Sequence, residues 1–128
     1  MHTLGIGVDI IKNSRIKKSI INKNFINRIF SKQEIKDSKK IKNKVSFFSK
    51  RFAAKEAFTK ALGTGFRNGL DFKDISIFNN KSGKPLFRIN GKLKSLIKKK
   101  FKTKKINTLL SISDEKAYSI AYVIIEKK

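Results

Sequence analysis

The chain has 128 residues, with 32 Lys and Arg against 9 Asp and Glu, which gives a formal net charge of +23. Its length and its 39% hydrophobic content fit one domain spanning residues 1–128. With no cysteine and one histidine, the sequence excludes a disulfide framework, a thiolate zinc site and a histidine metal cluster. No apolar run approaches the roughly 20 residues that span a bilayer, and the N-terminus lacks the pattern of a secretion signal, so we expect a cytoplasmic protein without a membrane segment.

Two explanations account for the positive charge. Lys and Arg neutralise nucleic-acid phosphates, so one hypothesis is a basic nucleic-acid-binding domain. However, the commonest residues include Lys, Ile, Phe and Asn, whose codons are rich in A and T, and genome composition is therefore a simpler source of much of the charge. A lysine-rich surface of either origin attracts acidic macromolecules.

Residues 4–10 alternate with the period of a β-strand. The apolar face of this predicted strand carries Leu4, Ile6, Val8 and Ile10. The opposite face carries Gly5, Gly7 and Asp9. Because glycines leave space for a backbone or a ligand to approach closely, we expect another part of the molecule or a ligand beside Asp9.

Three helices are predicted in the first half of the chain. Isoleucines at helical spacing indicate one that starts with Ser14 as its N-cap. The pattern Ser-x-x-Glu from Ser31 to Glu34 is a capping box and predicts a short second helix. The clearest helix covers residues 44–62 and ends at Gly63, which suits the left-handed C-terminal position. Its apolar positions recur about every fourth residue at Phe48, Phe52, Ala53, Ala57 and Ala61, and its charges recur at Arg51, Lys55, Glu56 and Lys60.

The second half of the chain reads mainly as strands. Residues 75–78 and 86–89 flank a segment rich in Asn, Gly and Pro, which predicts a hairpin. A short amphipathic helix around Leu93 and Ile97 precedes two further strands near 108–113 and 117–125. The predicted fold class is therefore α+β, with a mostly antiparallel sheet, one long central helix and several shorter helices.

Asp9 and Glu56 stand out among the few acidic residues because small and apolar residues surround them in the sequence. If the fold brings them together, two carboxylates are the usual protein share of a Mg²⁺ site. Lys60, one turn after Glu56, would then serve as a positive group for a phosphate or as a base. A simpler alternative is an ion pair between Glu56 and Lys60 on the helix surface, and spacing alone favours that alternative.

Two segments of the sequence carry longer motifs. The first is Gly5-Ile6-Gly7-Val8-Asp9-Ile10 followed by Arg15-Ile16, and the second is the continuous run RFAAKEAFTKALGTGFRNGL over residues 51–70. Both resemble the holo-acyl-carrier-protein synthase family of phosphopantetheinyl transferases. Similar stretches follow in the family's order at 72–75, 83–85, 110–113 and 118–126, so the resemblance covers nearly the whole chain.

The resemblance implies a phosphopantetheinyl transferase fold and reaction. The enzyme would transfer the 4′-phosphopantetheine group of coenzyme A to a serine of apo-acyl carrier protein, release adenosine 3′,5′-bisphosphate and so support fatty acid biosynthesis. The cofactor would be Mg²⁺, and nucleic acid and membranes would not be partners. Family members form homotrimers with active sites between adjacent subunits, so a single chain need not hold a complete site.

The resemblance also assigns candidate residues by position. Asp9 and Glu56 match the Mg²⁺ ligands and Lys60 matches a lysine near the transferred phosphate, which makes these three the candidate catalytic residues. The candidate coenzyme A contacts are Arg51, Gly63, Gly65 and Pro85. The candidate contacts for the acidic carrier protein are Arg15, Lys17, Lys18 and Arg28.

The sequence departs from the family pattern at two positions. Lys12 stands where many members carry Glu, and Asp114 stands where many carry His, although the pair Asp114-Glu115 resembles a variant found in enterobacterial-type members. Two other functions are weighed against the transferase. A nucleic-acid-binding domain would expose its aromatic residues. A family-like protein without activity is disfavoured because Asp9, Glu56 and Lys60 are all retained.

Overall fold

The computed structural model describes residues 2–66, 69–103 and 105–128. Its strands are β1 (His2–Lys12), β2 (Ile75–Asn79), β3 (Pro85–Ile89), β4 (Ile106–Asp114) and β5 (Tyr118–Lys127). Its helices are α1 (Asn13–Ser19), α2 (Lys23–Ile29), α3 (Lys32–Ser38), α4 (Lys44–Leu62) and α5 (Gly91–Phe101), with a single 3₁₀ turn at Phe72–Asp74. Each predicted strand and helix has a counterpart among these elements.

The strands form two antiparallel sheets. The larger sheet has the order β1-β5-β4, so the last strand of the chain lies in its centre. The smaller sheet is the β2–β3 hairpin, in which Ile75 pairs with Ile89 and Asn79 pairs with Pro85. The predicted α+β class with antiparallel strands is confirmed.

Helix α4 lies against one face of the larger sheet, which we call the inner face. A Cβ atom added to Gly5 would overlap the carbonyl oxygen of Ala61, and one added to Gly7 would overlap that of Ala57. The helix backbone therefore occupies the space that the two missing side chains leave. This confirms the expectation that the glycine face of β1 admits another backbone.

The opposite face of the larger sheet, which we call the outer face, is apolar and exposed. Exposed fractions reach 59% for Ile6 and 61% for Ile10. The same face carries Val8, Leu109, Tyr118, Ile120 and Tyr122, all exposed by at least 39%. Ile6, Val8 and Ile10 therefore do not contribute to the core of this single chain, whereas Leu4 is partly buried against it.

The core instead lies between the inner face, α4 and the shorter elements. Phe30, Phe48 and Phe58 are each at most 4% exposed, and Phe47 and Phe52 are also buried. No phenylalanine of the described residues is fully exposed. The burial of these phenylalanines gives the nucleic-acid-binding hypothesis, which predicts exposed aromatic residues, no support from them.

Local signals at helix ends were confirmed in two places and wrong in one. Ser31 and Glu34 form the predicted capping box, and Gly63 ends α4 with a left-handed φ of 77°. Ser14 is not the N-cap of α1, because the helix already begins at Asn13. Lys12 occupies the N-cap position and makes no side-chain hydrogen bond there. Asn13 is buried there and its amide donates to the carbonyls of residues 115 and 116, which explains the earlier start.

Two charged positions of α4 differ from the usual solvent-facing side of an amphipathic helix. Arg51 is 5% exposed and Lys55 is 0% exposed.

Within the ranges that the structure describes, no helix has the length and apolar character needed to cross a membrane.

Candidate active site

The packing of α4 against β1 brings Asp9 and Lys60 into contact. Lys60 Nζ lies 3.3 Å from Asp9 Oδ1 and donates to the backbone oxygen of Val8 at 3.0 Å. Lys60 of α4 therefore pairs with Asp9 of β1, where Gly5 and Gly7 let the helix approach the strand. Among the described residues, Lys60 forms no ion pair with Glu56. The simpler alternative, a surface ion pair along one helix, is therefore wrong.

The negative charge of Asp9 affects the pKa of Glu56. Burial raises the pKa of Asp9 above its ordinary value, while the hydrogen bond and charge of Lys60 and the charge of Arg15 oppose the rise. Burial also raises the pKa of Glu56, the negative charge of Asp9 raises it further, and Lys60 and Arg15 again oppose it. Two carboxylates in mutual repulsion form a site that a cation would relieve.

The donors at this site fit a magnesium ion. Both acids present carboxylate oxygens, which Mg²⁺ prefers, and both are only partly buried, so water and substrate oxygens can reach them. No third His, Cys, Asp or Glu joins them in a cluster within the described parts of the chain. Two protein carboxylates suffice for Mg²⁺, which usually keeps several waters.

Arg15 borders the carboxylates from α1. Its guanidinium carbon lies 5.9 Å from the centre of the Phe52 ring, and the ring of Phe25 in α2 stacks on the same Phe52. Arg15, Lys17 and Lys18 are exposed on α1, and Arg28 is exposed in the last turn of α2. The four candidate carrier contacts therefore lie on two short helices, and Arg15 of α1 is close enough to both acids to oppose the rise in their pKa values.

The candidate coenzyme A contacts lie on different elements. Gly63 is exposed at the end of α4, and Gly65 has a left-handed φ of 61° with open space around its Cα. Pro85 begins β3. Arg51 is buried, with its guanidinium carbon 3.7 Å from the centre of the Phe47 ring and its Nη2 3.5 Å from Asn79 Oδ1.

The two departures from the family pattern lie near the ends of β1 and β4. Lys12 is exposed at the cap of α1. Asp114 ends β4 and accepts a hydrogen bond of 2.7 Å from Ser46 Oγ in the first turn of α4. Both acidic residues of the Asp114-Glu115 pair line a cavity of about 340 Å³ between α1, the start of α4 and the β4–β5 turn.

Sequence reasoning missed a buried ion pair beside the candidate acids. Lys55 directly precedes Glu56, and its Nζ lies 2.7 Å from Oε1 of Glu34, with both side chains 0% exposed. The available signals were the alanines on both sides of the Lys55-Glu56 pair, at Ala54 and Ala57, and the capping-box role of Glu34. Neither signal identifies a partner 21 positions away.

Comparison with known proteins identifies the family of this chain. The family model of the 4′-phosphopantetheinyl transferase superfamily matches residues 5–123. The holo-[acyl-carrier-protein] synthase of Pelagibacter ubique (strain HTCC1062) is 62% identical over 128 residues, which cover 100% of both chains.

Solved structures give the same result. The holo-[acyl-carrier-protein] synthase of Neisseria meningitidis is 35% identical with a TM-score of 0.87, covering 98% of this chain and 99% of that one. The Bacillus anthracis str. Ames enzyme, in complex with CoA (3′,5′-ADP), is 33% identical with a TM-score of 0.82 over 100% of both chains. The chain therefore belongs to the holo-acyl-carrier-protein synthase family of the 4′-phosphopantetheinyl transferase superfamily.

Proposed function

We propose that this protein transfers the 4′-phosphopantetheine group of coenzyme A to a serine hydroxyl of apo-acyl carrier protein. The observation that carries the proposal is the meeting of Asp9, Glu56 and Lys60 across the α4–β1 contact, in a chain 62% identical to a holo-[acyl-carrier-protein] synthase. A relative bound to CoA supports coenzyme A as the donor.

The reaction exchanges the phosphoanhydride bond of coenzyme A for a phosphoester bond to serine. The serine oxygen forms a bond to the phosphorus next to the pantetheine arm, and the bond from that phosphorus to adenosine 3′,5′-bisphosphate breaks. The leaving group keeps the electron pair, and the serine proton is released. Positioning and charge neutralisation supply most of the catalysis in such transfers.

The residues of this chain divide that work. Asp9 and Glu56 would hold Mg²⁺, which, when bound, supplies positive charge against the pyrophosphate oxygens. Lys60 is 54% exposed and lies beside Asp9, so its ammonium can also reach a phosphate oxygen. Two groups of the chain, Glu56 and Lys60, are candidates for accepting the serine proton, and the proposal leaves the choice between them open.

We propose that coenzyme A binds near Arg51, Gly63, Gly65 and Pro85, and that Arg15, Lys17, Lys18 and Arg28 receive the acidic carrier protein. The left-handed Gly63 and Gly65 support the first part, because exposed backbone without side chains lets a ligand approach closely. The exposure of all four basic residues supports the second part. A cytoplasmic location stays a prediction from the sequence.

We also propose a homotrimer. The outer face supports it, because contiguous exposed apolar surface of this kind marks a protein interface. A second copy is the occupant that the family resemblance favours, and repeated rotation of one interface closes a ring. The site of each chain would then be completed by a neighbouring chain.

One assay tests the reaction directly. The purified protein is incubated with coenzyme A, Mg²⁺ and apo-acyl carrier protein, and the mass of the carrier protein is then measured by mass spectrometry. We expect the carrier to gain the mass of one phosphopantetheine, and we expect no gain with EDTA present or with a carrier whose acceptor serine is alanine. A carrier of unchanged mass in the complete reaction would overturn the proposed function.

A further inference from the structure

The β2–β3 hairpin is attached to the rest of the molecule in an unusual way. It forms its own two-stranded sheet, and no backbone ladder joins it to the β1-β5-β4 sheet in the described part of the chain. Its position relative to α4 therefore depends on side-chain contacts. The rings of Phe58 in α4 and Phe87 in β3 pack with centroids 4.8 Å apart, but apolar contacts of this kind fix distance better than register.

Directional contacts come from the buried Glu34–Lys55 pair. Lys55 Nζ donates to Glu34 Oε1 at 2.7 Å, to the carbonyl of Phe72 at 3.0 Å and to the carbonyl of Ile75. All three ammonium hydrogens thus have acceptors. Lys55 joins α4 to both the 3₁₀ turn and the first residue of β2.

The carboxylate of Glu34 is satisfied in the same manner. Besides Lys55, it accepts from the backbone N–H of Ser31 at 2.9 Å and from that of Ile77 at 3.1 Å. The hydroxyls of Ser31 and Ser76 lie 2.7 Å apart and add a contact between the cap of α3 and the same strand. Helices α3 and α4 and the α3 cap therefore hold β2 at three consecutive residues, through the backbone groups of Ile75 and Ile77 and the hydroxyl of Ser76.

The segments that this pair holds carry the candidate coenzyme A contacts outside α4. The chain that leaves α4 at Gly63 returns to it at Phe72, where Lys55 binds. At the far end of β2, Asn79 pairs with Pro85 and lies 3.5 Å from Arg51. The acids Asp9 and Glu56, in contrast, depend on the contact of α4 with β1.

We propose that Glu34 and Lys55 are positioning residues, which fix Phe72 and the β2–β3 hairpin against α4 in the arrangement that binds coenzyme A. This inference rests on the proposed function. A fully hydrogen-bonded buried pair suits the task, because its bonds are directional and each requires one register of the strand.

The test replaces the pair without leaving one buried charge unpaired. Removal of one partner alone would destabilise the whole fold, whereas the double variant Glu34→Leu/Lys55→Met keeps similar side-chain volumes. The control is Ile125→Ala, which also weakens the core but lies on β5, away from the hairpin. Both are compared with wild type by calorimetric binding of coenzyme A and by KM and kcat for coenzyme A and carrier protein.

We expect the double variant to raise the Kd and KM for coenzyme A by about tenfold or more, with the KM for carrier protein changed by less than about twofold. Hydrogen exchange should accelerate at Ile77 and Phe87 but not in β1 or β5. The control should lower the thermal midpoint without a selective rise in the KM for coenzyme A.

Two other outcomes have distinct meanings. If the wild type binds coenzyme A and the double variant binds it as the control does, the positioning role is wrong and the proposed function stands. If the wild type neither binds coenzyme A nor modifies the carrier, the proposed function is wrong and this inference falls with it.

Discussion

The two faces of the larger sheet are built on opposite principles. On the inner face, β1 presents glycines, and the backbone of α4 lies where side chains would otherwise stand. On the outer face, β1 and β5 present large apolar side chains that this chain leaves exposed. The inner face thus achieves close approach by lacking side chains, and the outer face offers apolar area to another surface.

The comparison shows why Asp9 and Lys60 meet where they do. Asp9 follows the two glycines on the inner face, and Lys60 follows Ala57 on the helix that they admit. A helix held further from β1 by ordinary side chains would separate Lys60 from Asp9. The glycines therefore serve the active site as much as the core.

The largest expected effect is on the chemistry at the inner face. Asp9→Asn or Glu56→Gln keeps the side-chain shape but removes one metal-binding charge. We expect transfer at limiting Mg²⁺ to fall at least about 100-fold, with the thermal midpoint little changed. Unchanged turnover would rule out the two-carboxylate site, and loss of the folded state would instead show that the acid is structural.

The second largest expected effect is on the free energy of unfolding, which should respond differently to substitutions on the inner and outer faces. Gly7→Ala adds one methyl group to the inner face, where it would meet the backbone of Ala57, and overpacking of this kind costs about 3 kcal/mol of unfolding free energy. Ile6→Ala removes more atoms from the outer face but should leave a dilute protomer folded, because Ile6 is 59% exposed. Urea denaturation measures both, and equal losses would contradict the proposed difference between the faces.

Measuring the oligomeric state of a variant tests whether the outer face forms the proposed trimer interface. Ile120 lies on the central strand of the sheet and is 40% exposed. We expect Ile120→Asp to convert the trimer to monomers in analytical ultracentrifugation and to lower transfer about tenfold or more, since charge is disfavoured at the centre of an interface. Ser95→Asp on the exposed side of α5 is the matched control. A wild type that sediments as a monomer would disprove the trimer.

A smaller effect, on the KM for carrier protein, is expected at the proposed docking surface on α1. Arg15→Glu should raise the KM for carrier protein about tenfold and that for coenzyme A much less, because rim charges act on association. The effect should shrink as salt screens the repulsion over a Debye length of about 8 Å. Lys99→Glu reverses an exposed charge on α5 and is the control. Indistinguishable variants across a salt series would remove α1 from the docking surface.

The smallest effect is on stability against pH without metal. Burial and the charge of Asp9 raise the pKa of Glu56, so the folded chain binds more protons than the unfolded chain between the two pKa values. Stability therefore decreases as pH rises through that window, and Glu56→Gln removes this decrease. As pH rises from the ordinary pKa of a glutamate through the raised pKa of Glu56, the thermal midpoint of the variant should gain on that of wild type. A difference in thermal midpoint that does not change with pH would contradict the raised pKa of Glu56.

Elements fixed by neighbouring residues were predictable from the sequence. The bounds of α4, its end at Gly63, the capping box at Ser31 and the hairpin of β2 and β3 all follow from spacing and turn residues within a few positions. Helix α2 was not predicted, because seven residues are about two turns and contain too few apolar positions to establish a helical period.

Tertiary structure decided what depends on distant partners. The alternation of β1 identified two faces, but which one α4 covers depends on glycines opposing a helix some 50 positions later. Lys60 has Glu56 and Asp9 as candidate partners, and only the packing of α4 on β1 selects Asp9. Lys55 looks like a surface charge until α3 and β2 enclose it with Glu34. Local sequence encodes the elements because their hydrogen bonds are local, whereas burial and ion pairing arise only after the elements pack together.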